Sequence, residues 1–230
     1  MSVMKNLAKL LVIALAVMFT CAACEKKRVA QVAPCQGELI WHKDFASKDI
    51  YLTFDDGPNP EATPRVLDIL KQHKVKAAFF LLGRKVAAHP EIVKRIYREG
   101  HGLGNHTYSH VGGLNVTLET ISKELRDTDR AIKAACGVSP QFFRPPFGFF
   151  NYRYFFVAEK MGYRSVLWTI DAADWNRITS AEIESRLLLR VKGGYIVLLH
   201  DGGPSREAVI EALPVIIEKL KAKGLKFKPL

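Results

Sequence analysis

Two adjacent aspartates, Asp55 and Asp56, stand in the run Thr53-Phe54-Asp55-Asp56-Gly57-Pro58, and two histidines at i, i+4 spacing stand in Asn105-His106-Thr107-Tyr108-Ser109-His110. Further along come Arg144-Pro145-Pro146-Phe147-Gly148, Asp171-Ala172-Ala173-Asp174-Trp175 and Leu198-Leu199-His200-Asp201. Two imidazoles and one carboxylate form a three-ligand site for a divalent ion such as zinc, with positions left open for water and a substrate oxygen. His106, His110 and one of Asp55 or Asp56 can supply those ligands. The other aspartate can take a proton from the attacking water as general base, and His200 can protonate a leaving group. Arg144 would keep the base aspartate charged and oriented, since a cation within a few ångströms favours the ionised carboxylate. An acid and a base around one activated water describe hydrolysis.

Each pattern alone has an ordinary explanation. With seven histidines in the chain, a His-x-x-x-His pair arises by chance roughly 0.2 times, and two acids before Gly-Pro usually make a turn. Their shared position is what carries weight. Short β-rich runs at 50–54, 76–82, 102–105, 141–144, 164–169, 195–199 and 225–228 alternate with helical segments, and each chemical run sits at the carboxyl end of a strand. Strict alternation of strand and helix gives right-handed βαβ units on a parallel sheet, whose functional residues gather beyond the carboxyl ends of the strands. Helix punctuation agrees. Pro64 and Pro90 are expected at first helical positions, Thr179 with Glu182 forms a capping box, and Gly100, Gly137 and Gly162 follow helical runs as left-handed caps.

The chain has 230 residues and a formal charge of +11, enough for one α/β domain plus extras. The extras lie at the front: Lys5 and Lys9 precede the apolar run 10–19, and the small residues Ala22 and Ala23 precede Cys24, the order of an export signal. That run is too short to span a bilayer, which takes roughly 20 residues. Residues 1–23 are expected to be removed, 24–47 to form a tether and 48–230 a single catalytic domain. Cys21-Ala22-Ala23-Cys24 resembles a bacterial lipobox with Cys24 as acceptor, although Cys21 stands where such boxes usually carry Leu. Loss of residues 1–23 leaves 32 basic against 23 acidic side chains, a net +9. Such a surface attracts nucleic acid, anionic membrane or anionic wall polymer; export favours the last two, and no nucleic-acid partner is expected. Cys35 and Cys136 can form a bridge or stay apart.

These five runs, in this order, resemble the motifs of the polysaccharide deacetylases, carbohydrate esterase family 4, the NodB homology domain, over roughly residues 48–230. The resemblance implies a distorted (β/α) barrel of about seven parallel strands. It implies Asp55 as general base, Asp56, His106 and His110 as metal ligands, and His200 as general acid. It further implies the backbone N–H of Phe147 as a donor to the oxyanion, Arg144 as support for Asp55, and Asp174, ahead of Asp171, as the residue that tunes His200. Trp175 and Leu198 would wall the pocket for the acetyl methyl. Phe147 stands where many relatives carry Tyr; a backbone donor is unaffected by that change.

The activity implied is removal of N-acetyl groups from N-acetylglucosamine-type residues of peptidoglycan or a chitin-like oligosaccharide, with zinc, cobalt, nickel or manganese as the ion. The rivals are an O-acetyl esterase of the xylan type, a small-amide hydrolase of the same fold, and a non-catalytic wall-binding lipoprotein. The expected location is outside the cytoplasm, secreted or anchored through Cys24 and facing the periplasm or the exterior.

Overall fold

Among the described residues nine strands pair through parallel ladders: β1 (Leu39–Ile40), β2 (Asp49–Gly57), β3 (Ala77–Leu81), β4 (Gly102–Asn105), β5 (Phe142–Phe143), β6 (Arg164–Val166), β7 (Ile170–Asp171), β8 (Ile196–His200) and β9 (Lys226–Phe227). Their order is β1-β6-β5-β4-β3-β2-β8-β7, with β9 beside the start of β2. Seven helices run between them: α1 (Ala62–Gln72), α2 (Gly83–Ala88), α3 (Pro90–Arg98), α4 (Leu118–Cys136), α5 (Tyr152–Lys160), α6 (Ser180–Arg190) and α7 (Arg206–Ala222). The computed structural model describes residues 38–148 and 151–230, which belong to one compact unit. Among them no helix is long and apolar enough to cross a membrane.

Alternation along each strand divides the side chains between two cores. Leu52, Phe54, Phe79, Leu81, Val197 and Leu199 face outward under α1, α3 and α7 in the larger cluster. Ile40, Ala78, Phe80, Phe142, Val166 and Ile196 face inward and fill the barrel. Each large side chain so buried contributes about 1.5–3 kcal/mol. A third cluster packs Ile121 and Leu125 of α4 on Phe143 and Tyr154.

The sheet curls into a barrel without completing it. Between β1 and β8 the seam is stitched by Thr169, whose Oγ1 donates to the Trp41 carbonyl at 2.6 Å and accepts from the Ile196 N–H at 3.1 Å.

All seven expected strands are present, and two more, β1 and β7, were not anticipated. The fold also begins before residue 48: Leu39 and Ile40, in the stretch expected as tether, pair with Ser165 and Val166. The remaining tether residues, 24–37, the signal and Cys24 lie outside the described residues, as does Cys35. Cys136 is half-buried, with its thiol 3.2 Å from the Ile132 carbonyl.

Pro90 is the first residue of α3 and Thr179 with Glu182 closes its capping box on α6. Gly100, Gly137 and Gly162 have φ of 76°, 85° and 81°. Pro64 is instead the third residue of α1. That helix starts earlier because Asn59 Oδ1 accepts from the N–H groups of Glu61 and Ala62, both at 2.9 Å, satisfying donors that the first turn leaves unpaired.

Gly104 lies against Phe80, and a Cβ at that position would overlap the Phe80 ring. Gly104→Ala is expected to lower the denaturant midpoint by the equivalent of about 1–3 kcal/mol, the usual cost of overpacking. Adding Phe80→Leu should restore part of the loss; strictly additive losses in the double mutant would show that the two positions do not compete for space.

Candidate active site

A cleft of about 400 Å³ opens at the carboxyl ends of the strands, lined by Asp55, Asp56, His106, His110, Phe147, Gly148, Trp168, Asp171, Trp175, Leu198 and His200. Every run singled out in the sequence contributes to it.

In a regular strand Asp55 and Asp56 would point to opposite faces. The β2/β3 register slips between Asp55 and Gly57, and Asp56 has a left-handed φ of 70°. A bulge of this kind re-aims a side chain, and here both carboxylates reach the cleft. Lys85 Nζ holds the turn from behind through the Asp56 carbonyl at 2.8 Å.

Asp55 is buried against Arg144, which is itself fully buried. Arg144 Nη1 donates to Asp55 Oδ1 at 2.6 Å and to Thr53 Oγ1 at 2.9 Å. Its Nε and Nη2 donate to the carbonyls of Val166 and Leu167 at 3.2 and 2.9 Å, and the guanidinium carbon lies 4.0 Å from the Phe80 ring centre. Burial pushes the Arg144 pKa down, and the Asp55 charge and hydrogen bond oppose that shift.

His106 Nδ1 is 2.7 Å from the Arg144 carbonyl. A carbonyl only accepts, so the proton sits on Nδ1 and the Nε2 lone pair faces the cleft. Nε2 lies 3.6 Å from Asp56 Oδ1 and 3.8 Å from Asp55 Oδ2, and His110 Nε2 lies 3.3 Å from Asp56 Oδ1. Burial, then the neighbouring His106, lowers the His110 pKa, which favours the neutral form that can bind a cation. Asp56 Oδ1 is buried and accepts no hydrogen bond within the chain. Ligand atoms of Asp56, His106 and His110 lie within 4.8 Å of one another. Two imidazole nitrogens and a carboxylate oxygen converging in this way suit a divalent cation.

The loop that carries His106 and His110 is held from outside. Glu124 of α4 accepts from the N–H groups of Tyr108 and Ser109, both at 2.8 Å, and from Ser109 Oγ at 2.9 Å. Asn105 Oδ1 accepts from the Thr107 N–H at 2.9 Å, fixing a β-branched residue at a φ of 67°, where such residues are uncommon.

His200 lies opposite Asp55 in the β2/β8 register. Asp174 binds it twice: Oδ1 accepts from Nδ1 at 2.8 Å and Oδ2 from the His200 N–H at 2.7 Å. Burial lowers the imidazole pKa, but the Asp174 hydrogen bond and charge, helped by Asp55 and Asp56, outweigh it and raise the pKa to about 9. Asp174 is therefore the hydrogen-bond partner of His200. Asp171 instead accepts from Trp175 Nε1 at 3.1 Å and from the Ala173 N–H at 2.6 Å, which fixes the indole at the rim. Leu198 is buried in the wall, while Trp175 and Phe147 are 54% and 67% exposed. Phe147 is left-handed at φ 61° and its ring packs 4.4 Å from that of His110.

Thr53, Glu124 and Trp168 were not singled out in the sequence. Thr53 had a signal, since period-two alternation puts it on the face of Asp55. Trp168 fills the space beside Gly148, where a Cβ would overlap its ring. Glu124 acts from a helix remote in sequence and left no local mark.

Comparison with known proteins agrees with this geometry. Residues 42–166 match the polysaccharide deacetylase family. A peptidoglycan-N-acetylglucosamine deacetylase of Bacillus cereus is 38% identical over 83% of this chain and 90% of its own length. A chitooligosaccharide deacetylase of a Bradyrhizobium species is 38% identical over 80% and 90%. Among solved structures, the Bc1960 peptidoglycan N-acetylglucosamine deacetylase superposes with a TM-score of 0.80 at 35% identity, covering 85% of this chain and 92% of that one. The chain belongs to the polysaccharide deacetylase family, carbohydrate esterase family 4. It is an enzyme of the deacetylase class, built as that family's (β/α) barrel.

The His200 ring should titrate near 9 by NMR, and Asp174→Asn should lower that value, because burial persists while the hydrogen bond and charge are lost. The sign for stability follows. A pKa raised above the unfolded value, about 6.5, contributes stability that is fully present below that pH and is lost as pH rises through about 9. Asp174→Asn should flatten this loss in denaturant titrations across the same range; an unchanged slope would mean that the pair does not govern it.

Proposed function

We propose that this enzyme removes N-acetyl groups from N-acetylglucosamine residues of a cell-envelope polysaccharide, peptidoglycan foremost, using a divalent ion held by Asp56, His106 and His110. The observation that carries the reading is the convergence of those three side chains on a buried, unpaired Asp56 Oδ1, within a cleft that also contains Asp55 and His200. An ion held there supplies Lewis acidity at the acetyl carbonyl and the attacking water. Zinc is the first candidate, with cobalt, nickel or manganese accepted by the same donors.

Asp55, oriented by Arg144, takes a proton from water as its oxygen adds to the acetyl carbon. The backbone N–H of Phe147 donates to the oxyanion that forms. His200, protonated at neutral pH by virtue of Asp174, gives its Nε2 proton to the sugar nitrogen as the C–N bond breaks. Acetate and a free amine leave. Leu198 and Trp175 shape the space for the acetyl methyl. Chitin-like oligosaccharide is the second reading, supported by the Bradyrhizobium relative at equal identity. The order of charged, apolar and small residues at 5–24 supports a location outside the cytoplasm, with Cys24 as the anchor.

Acetate release from N-acetylglucosamine oligomers and from isolated peptidoglycan is expected to cease on chelation and to return with zinc. Failure of both substrates with zinc bound would move the assignment to O-acetyl esters or small amides. Asp55→Asn should retain metal and lose turnover by several orders of magnitude, whereas His106→Ala should lose both; equal metal loss would exchange the roles of the aspartates. His200→Ala should impair amide hydrolysis far more than that of an activated ester, and equal losses would remove His200 from proton donation.

A further inference from the structure

The end of the barrel opposite the cleft is a second surface with its own chemistry. Helices in βαβ units run against the strands, so their last turns share that end with the strand starts. There Lys71 closes α1, Arg98 closes α3, and Lys219 and Lys221 close α7. Cations at helix C-termini are favoured by the helix dipole, and that local preference accounts for each one singly. It does not account for the exposed lysines placed just before or within strands at the same end, Lys48, Lys74, Lys76, Lys192 and Lys226.

Two features give this end a shape as well as a charge. Lys74, Lys221 and Lys226 line a groove of about 430 Å³ whose apolar floor is Val75, Leu225 and Phe227. No ion pair engages these three lysines among the described residues; Lys221 donates only to the His73 carbonyl. Beside the start of β8, the segment after β1 is held by Lys43 N–H to the Gly194 carbonyl at 2.8 Å. It presents Trp41 and Phe45, each 52% exposed, next to Lys43 and Lys48. Exposed aromatics among lysines match a membrane–water interface.

The chain also enters the domain here. Glu38, the first described residue, pairs at 2.8 Å with Arg164 at the start of β6. From Cys24 to Glu38 a fully extended chain reaches at most about 50 Å, so an anchor at Cys24 would leave this end within reach of the bilayer.

We propose that the amino end of the barrel docks on anionic phospholipid headgroups, with Lys74, Lys221 and Lys226 receiving the phosphates and Trp41 and Phe45 entering the interface. The cleft then faces away from the membrane, toward the polymer. This orientation rests on the envelope location proposed above, but headgroup binding itself does not depend on the substrate.

The test is flotation of the full-length protein with phosphatidylcholine vesicles, with and without phosphatidylglycerol. The leader is present in every sample, so the readout is the gain in partitioning caused by the anionic lipid. Lys74→Glu/Lys221→Glu/Lys226→Glu should reduce that gain by roughly ten- to a hundredfold, from a basic residue's usual contribution near a charged surface. Lys94→Glu/Arg126→Glu/Arg130→Glu, with the same change in net charge on the flanking helices, should retain most of it. Acetate release from a soluble oligosaccharide should be unchanged in both, which also reports that both are folded. An undiminished gain in the first variant, or equal loss in the two, overturns the proposal. Absence of acetate release from wild type with the vesicle result intact would fail the substrate reading alone. Should the first variant lose turnover, Lys→Gln at the three positions serves in its place, and an undiminished gain there is equally decisive.

Discussion

A charged guanidinium in the middle of a barrel is the constraint around which the site is arranged. Arg144 has no access to solvent, and an unpaired charge there would cost several kcal/mol. The fold answers with a carboxylate, a hydroxyl, two carbonyls and an aromatic face. They come from β2, from the end of β6 and from β3, so the barrel must curl for all of them to meet. Gly104 leaves room for Phe80, Phe80 supports the guanidinium, and the guanidinium orients Asp55. A packing decision deep in the barrel is thereby passed upward to the cleft.

The rim is held in place by backbone conformations that side chains seldom choose. Asp56, Thr107, His110, Phe147 and Ala173 all have positive φ, and such strain persists only where surrounding contacts impose it. The contacts are visible in several cases: Lys85 behind Asp56, Asn105 beneath Thr107, Asp171 at Ala173. Asp56 lies at the slip near the end of β2 and the other four in the segments that follow the strands, while the strands beneath are otherwise regular. Rigidity in the sheet allows the loops to hold costly shapes.

Much of this was legible in the sequence because strand ends and chemical residues coincide. Asp55, Asp56, His106, His110 and His200 all line one cleft, with Arg144 and Asp174 buried behind Asp55 and His200, and alternation identified every strand long enough to alternate. β1 and β7, like β5 and β9, are two residues long and carry no period; β5 and β9 were legible within longer β-rich runs, whereas pairing alone makes β1 and β7 strands. The start of α1 was misplaced because Pro64 is a visible signal, whereas Asn59 works through hydrogen bonds that only the fold brings together. Glu124 and Trp168 belong to the same category: each acts across space on a loop distant in sequence.

Arg144 serves its two neighbours by different means. Its side chain grips Asp55, while its main-chain oxygen receives the His106 proton and so decides which nitrogen of that ring faces the cleft. Substitution alters side chains and leaves carbonyls in place. A substitution here therefore removes the grip on Asp55 directly and reaches the His106 ring only through the response of the backbone. In this architecture the orientation of Asp55 depends on the Arg144 side chain and the orientation of the His106 ring on the Arg144 backbone, so the two can be disturbed separately.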